Sequence, residues 1–140
     1  MKSDKFNEIN IFGKGKENID FAKYFIGNSY LNPLTNPKGT IFLANVTFEP
    51  GCRNNWHVHK STKGWGQILI CTAGEGWYQE ENKEPVSLKP GMVITIPANV
   101  KHWHGAKKGC WFSHIAIEVP GENTSNEWCE SVTDEVYNKL

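Results

Sequence analysis

From Thr40 to Glu118 the chain runs as short β-branched and aromatic stretches, each closed by a proline, glycine or asparagine turn. Thr40 to Glu49 ends at Pro50-Gly51, and Gln67 to Ala73 returns to the turn at 73 to 76. Trp77 to Glu80, Pro85 to Leu88 and Met92 to Ile96 follow, with Lys89-Pro90-Gly91 as the last of these turns. Trp111 to Glu118 alternates again, placing His114 on one face with Ala116. Turns at such spacing, between segments of period two, predict an antiparallel sandwich or barrel rather than a helical or βαβ fold.

The ends of the chain are less patterned. Ala22 to Asn32, with Tyr24, Phe25, Ile26, Tyr30 and Leu31, reads as a first strand, with a short helix at 19 to 24 as the competing assignment. Asn10 to Asp20 is polar and contains glycine, so residues 1–18 read as a loosely held lead-in to a single domain over 19–140. Thr133 to Asn138 can form one helical turn begun by Thr133 or Asp134.

On the strand-like segments the histidines are paired. His57 and His59 are two residues apart, and so are His102 and His104. Alternate side chains on a strand share a face and stand roughly 7 Å apart along it, so either pair can approach one cation. The neutral imidazole binds most divalent transition metals, and the amide oxygen of Gln67 is a hard donor that suits an octahedral set. An alternating His-x-His is also compatible with a half-buried pair that binds nothing.

These residues resemble the two signature motifs of the cupin superfamily. Gly51, His57, His59, Gln67 and Gly74 follow the first, with Gln67 where the family usually has Glu and with a longer loop after His59. Gly91, Pro97, Asn99, His102 and Ala106 follow the second, with Asn99 at the turn-glycine position and Ala106 at the terminal Asn. Asn accepts the positive φ of such a turn. From about Ile19 onward the chain is similar to small single-domain bacterial cupins. Among these are the manganese-dependent cupin hydroxynitrile lyases and the cupins associated with carboxymuconolactone-decarboxylase-like proteins.

The resemblance implies an all-β, antiparallel double-stranded β-helix (a jelly-roll barrel) closed by a short C-terminal helical turn. It implies His57, His59, Gln67 and His102 as ligands of one divalent transition metal, manganese first, with Fe, Ni, Co, Zn and Cu as alternatives. His104 and His114 would face the same interior, either moving protons or orienting their neighbours. Lyase-type acid/base chemistry is the leading reading. An iron-dependent dioxygenase and a non-catalytic ligand-binding cupin that supports a decarboxylase-like partner are the others. Because all four donors are neutral, the metal would keep nearly its full charge and attract an anionic or carbonyl-bearing ligand.

Composition narrows the partners. Fifteen basic and fifteen acidic residues in 140 give zero formal charge, so nucleic acid and anionic membrane are not expected and a small-molecule substrate is. No apolar run has the length of a signal core or membrane span, so a cytoplasmic protein is expected, with Cys52, Cys71, Cys110 and Cys129 as reduced thiols. Trp56 and Trp103 alternate with the histidines and should face away from the metal, toward another layer or a subunit contact in a homodimer. Trp65, in the long loop, is a candidate lid.

Overall fold

A computed structural model describes residues 2–140. Its elements, in order, begin with helix α1 (Ser3–Ile9), β1 (Lys16–Glu17), a 3-10 turn at Ala22–Tyr24, β2 (Phe25–Ile26), β3 (Ser29–Pro33), β4 (Leu43–Phe48) and β5 (Arg53–Asn54). The middle holds β6 (His57–Lys60), β7 (Lys63–Gly64), β8 (Gly66–Gly74), β9 (Gly76–Glu80), β10 (Val86–Leu88), β11 (Val93–Pro97) and β12 (His102–Ala106). β13 (Phe112–Glu118), β14 (Gly121–Glu122), β15 (Ser125–Trp128) and helix α2 (Asp134–Tyr137) complete the chain.

All the pairings are antiparallel. One sheet has the order β1-β3-β4-β13-β8-β11; the facing sheet runs β10-β9-β12-β5-β2, with β6 bridging β12 and β15. The inward residues Val46, Phe48, Leu69, Cys71, Tyr78, Leu88, Ile96 and Phe112 form the core between them. Burying each large apolar side chain contributes roughly 1.5–3 kcal/mol. The expected jelly roll is therefore present, with its short C-terminal helix capped by Thr133 Oγ1, which accepts from the Val136 N–H.

Two turn positions set the barrel's corners. A Cβ on Gly74 would lie 1.8 Å from the Trp111 carbonyl oxygen, and the residue sits at φ +72°, so only glycine fits where β8 passes to β9. Asn99 adopts φ +68°, the left-handed conformation expected of it, and its side chain ties the turn to Ser61.

The N-terminal half differs from the sequence-based expectation in two respects. The single strand over Ala22 to Asn32 is broken into a 3-10 turn, β2 and β3, because Gly27 at φ +87° turns the chain against Cys52. The lead-in is packed rather than loose. Phe6 of α1 is fully buried and stacks on Trp111 at 5.5 Å, and Asn10 joins Asn45, Thr47 and Ser113 in a buried hydrogen-bonded network. Those three residues point out of the β4/β13 face, and buried polar groups require partners. The N-terminal segment supplies one.

Across the other sheet the C-terminal segment acts as a cover. Arg53 donates from Nε and Nη2 to the Val132 carbonyl at 3.0 and 2.8 Å and from Nη2 to Asp134 at 2.7 Å, while Tyr137 donates to the Ala106 carbonyl. Trp103 lies beneath, fully buried against Val132 and Tyr137, with Trp56 alongside. Both tryptophans thus face away from the histidines, into contacts made by the chain's own tail. No helix among the described residues is long and apolar enough to cross a membrane.

Candidate metal centre and cavity

β6 is the element that assembles the histidines. His57 lies opposite His102 on β12 and, on the other side, opposite Trp128 of β15; His59 lies opposite Asn126. Strand alternation then turns His57 and His59 to one face. Ring centroids of His57, His59 and His102 lie 4.2 to 5.2 Å from one another.

The hydrogen bonds fix which nitrogen each ring presents. His57 Nδ1–H donates to the Asn55 carbonyl at 2.8 Å and His102 Nδ1–H to the Val100 carbonyl at 2.9 Å, since a carbonyl only accepts. His59 Nδ1–H donates to Asn126 Oδ1 at 2.8 Å. Each Nε2 is left as a bare lone pair. A metal-binding imidazole needs this arrangement. Burial pushes His102 down to about 4 and His57 well below its usual range, so both are neutral and available as donors near pH 7.

Buried polar atoms ordinarily find partners, and His59 Nε2, His102 Nε2 and Gln67 Oε1 have none among the described residues. Gln67, at the start of β8, faces the same cavity as His57 and His59. Three imidazole nitrogens and one amide oxygen form a donor set that fits a divalent transition ion.

A different trio, His57, His102 and His104, also has ligand atoms that all lie within 4.8 Å of one another and could hold a metal. His104 also has partners within the protein. Its Nδ1 lies 3.1 Å from His114 Nε2, its backbone N–H donates to Asn54 Oδ1 at 2.9 Å, and the Asn54 amide nitrogen lies 3.2 to 3.3 Å from its ring nitrogens. His104 and His114 are both buried, and burial holds both as neutral imidazoles, His114 down to about 3.

The site opens into a cavity of about 310 Å³. Phe21, Phe25, Phe42, Phe48, Val46 and Trp128 make most of its wall apolar, while His57, His59, Gln67, His104 and His114 form its polar end. Glu118 is the sole charged side chain lining it among the described residues. Trp65 is not part of this wall. Its ring lies edge-on to His59 at 5.2 Å, and its backbone is in the left-handed region at φ +63°.

Sequence reasoning passed over Asn54, Asn126 and Trp128. Trp128 stacks on Tyr24 at 4.4 Å and packs against His57 at 4.8 Å. Its single signal was an aromatic residue in a polar tail. The carboxamides gave none, because their roles depend on pairing with strands far away in sequence.

The cupin domain family pattern matches residues 44–110. An (R)-mandelonitrile lyase from Granulicella tundricola is 38% identical over 120 residues, covering 84% of this chain and 88% of that protein. The chain belongs to the cupin family. A cupin-like protein from Thermotoga maritima matches this cupin with a TM-score of 0.79 at 38% identity, covering 92% of this chain and 95% of that one. A cupin 2 conserved barrel domain protein from Rhodopseudomonas palustris shares the fold alone, at 12% identity and a TM-score of 0.65, with 89% and 81% covered. The cupin's own relatives therefore include a hydroxynitrile lyase, as the resemblance of the chain from about Ile19 onward implies.

Proposed function

We propose that His57, His59, Gln67 and His102 hold one divalent transition metal and that the protein is a lyase acting on a small cyanohydrin-type substrate. The observation that carries this reading is that three of these donors, His59 Nε2, Gln67 Oε1 and His102 Nε2, are buried without partners, with His59 and Gln67 at the polar end of an apolar cavity. The similarity to a mandelonitrile lyase supports the reaction class. Manganese is the first candidate, since amide oxygen and imidazole suit a hard octahedral ion.

When bound, the metal would supply a Lewis acid at the polar end of the cavity. The chain's own residues do the rest. The apolar wall takes a hydrocarbon or aryl group and keeps water out, and Trp128 with Phe25 and Phe48 shapes that end of the cavity. His104, neutral and donating Nδ1–H to His114 Nε2, accepts the substrate hydroxyl proton on Nε2. The O–H electron pair becomes the new C=O π bond, the C–C pair leaves on the nitrile carbon, and the proton passes from His104 to the departing cyanide. Carbonyl compound and hydrogen cyanide are the balanced products. Asn54, bound to the His104 backbone and lying against its ring, keeps the imidazole turned to the cavity.

The test is elemental analysis of protein purified without added metal, followed by mandelonitrile cleavage read as aldehyde absorbance. One metal per chain that is lost in a His57→Ala, His59→Ala double variant, together with aldehyde formation, is the expected result. Stoichiometric metal in the double variant would refute the donor set. Oxygen uptake without cyanohydrin cleavage would refute the lyase and favour the dioxygenase. We also propose a cytoplasmic location, and a homodimer because Ile11 and Ile19 stand 80% and 74% exposed. A monomer by light scattering at micromolar concentration would count against the dimer, and export of the full-length protein against the location.

A further inference from the structure

The three imidazoles of the centre are not oriented in the same way. His57 and His102 each donate Nδ1–H to a backbone carbonyl two residues earlier in the chain, Asn55 and Val100. Those contacts are local and survive any side-chain substitution. His59 instead depends on a side chain, Asn126 Oδ1, contributed from 67 residues away by β15. β15 pairs with β6 alone, and it lies beyond the stretch that the cupin pattern matches.

We propose that Asn126 is a positioning residue that sets the metal affinity of the centre by holding His59 as its Nδ1–H tautomer and presenting Nε2 to the ion. The inference rests on the metal reading above. Without the acceptor, the ring is free to place its proton on Nε2 or to rotate, and either change removes a donor from the set. The two other histidines cannot compensate, because their orientation is already fixed. Asn126 is exposed at the cavity rim, so its side chain contributes little to the packing of the fold. Loss of the contact should therefore appear in metal binding rather than in stability.

Two substitutions of the full chain test this in opposite directions. Asn126→Leu removes the acceptor and should weaken Co(II) binding about tenfold or more, the usual scale for losing a partner that orients a ligating histidine. Asn126→Asp replaces the amide with a carboxylate, a stronger acceptor that makes His59 more basic, and should tighten it. Affinity would be read by competition with a chromophoric chelator at pH 8, the visible Co(II) spectrum would report any change at the ligand, and metal-free melting temperatures should stay close to wild type. Leu and Asp variants that bind within twofold of wild type, or that shift in the same direction, would overturn the role of Asn126 while leaving the centre intact. A wild-type protein that takes up no stoichiometric Co(II) would overturn the role and the metal reading together.

Discussion

Replacing His114 with glutamine should flatten the acid sensitivity of the metal-free protein. His114 is fully buried, with its ring against Phe48 at 5.4 Å and Phe112 at 5.5 Å. Burial pushes its imidazole from 6.5 down to about 3. Between those values the unfolded chain carries the proton and the folded chain does not, so the unfolded state binds more protons and stability falls as pH falls. The stabilisation is fully present above pH 6.5 and is lost progressively on the way to about pH 3. At 1.36 kcal/mol per unit, a drop to pH 5 costs about 2 kcal/mol for this one group.

Glutamine does not titrate, and its side-chain oxygen can still accept from His104 Nδ1–H. Urea unfolding of chelator-treated wild type and His114→Gln, followed by tryptophan fluorescence at pH 7.5 and pH 5, isolates the histidine because the carboxylates are common to both proteins. The loss of stability between the two pH values should be smaller in the variant by about 2 kcal/mol. Equal losses would show that His114 is protonated in the folded state near its ordinary pKa, and the account of a dry, neutral His104–His114 pair would fail.

Gly74→Ala should yield little soluble protein or lower the melting temperature by many degrees, because the new methyl would meet the Trp111 carbonyl oxygen at 1.8 Å on a backbone held at φ +72°; a variant that melts like wild type would place the β8/β9 corner incorrectly. Burial pushes the Cys52 thiol up to about 12 and Cys71 up to about 11, so in native protein at pH 8 a thiol reagent should leave both unlabelled, and in denaturant it should reach all four cysteines. Mass mapping of the labelled residues decides it. Gln67→Glu should keep the metal but place a negative charge in its donor set, weakening thiocyanate binding to the Co(II)-loaded protein; unchanged anion affinity would make Gln67 a bystander.

Period two on a strand made the His-x-His pairs legible, because it dictates that His57 and His59 share a face and that Trp56 and Trp103 take the opposite one. Asn99 was legible for a similar local reason: its positive φ of +68° is a property of one residue in one turn. The residues that were missed act at long range. Asn126 and Trp128 reach the histidines only through the register of β15 on β6, and a tail reading SNEW has too few apolar positions to announce a strand. Helix α1 was hidden for the same reason, since a single residue, Phe6, anchors its seven. In both segments tertiary contacts, not local pattern, decide the structure.

The charge of the cavity connects the donor set to the choice of substrate. In the proposed donor set Gln67 stands where a cupin motif ordinarily has a carboxylate, and among the described residues no lysine or arginine lines the wall to repel a cation or attract a free acid. Among the described residues the one charged group there is the carboxylate of Glu118. An anionic substrate would gain at the polar end and lose near Glu118, whereas a neutral hydroxy compound meets no such opposition and buries its apolar part against Phe25, Phe48 and Trp128. In the proposed cyanohydrin cleavage, charge would build up only as the hydroxyl proton departs, at the end of the cavity where the proposed donors carry no negative charge to cancel the field of a bound cation. Stabilisation that grows with the charge of the transition state raises the rate, while stabilisation already present in the bound ground state does not. A neutral donor set beneath an apolar cavity is therefore better matched to releasing a proton from an uncharged substrate than to gripping an anion.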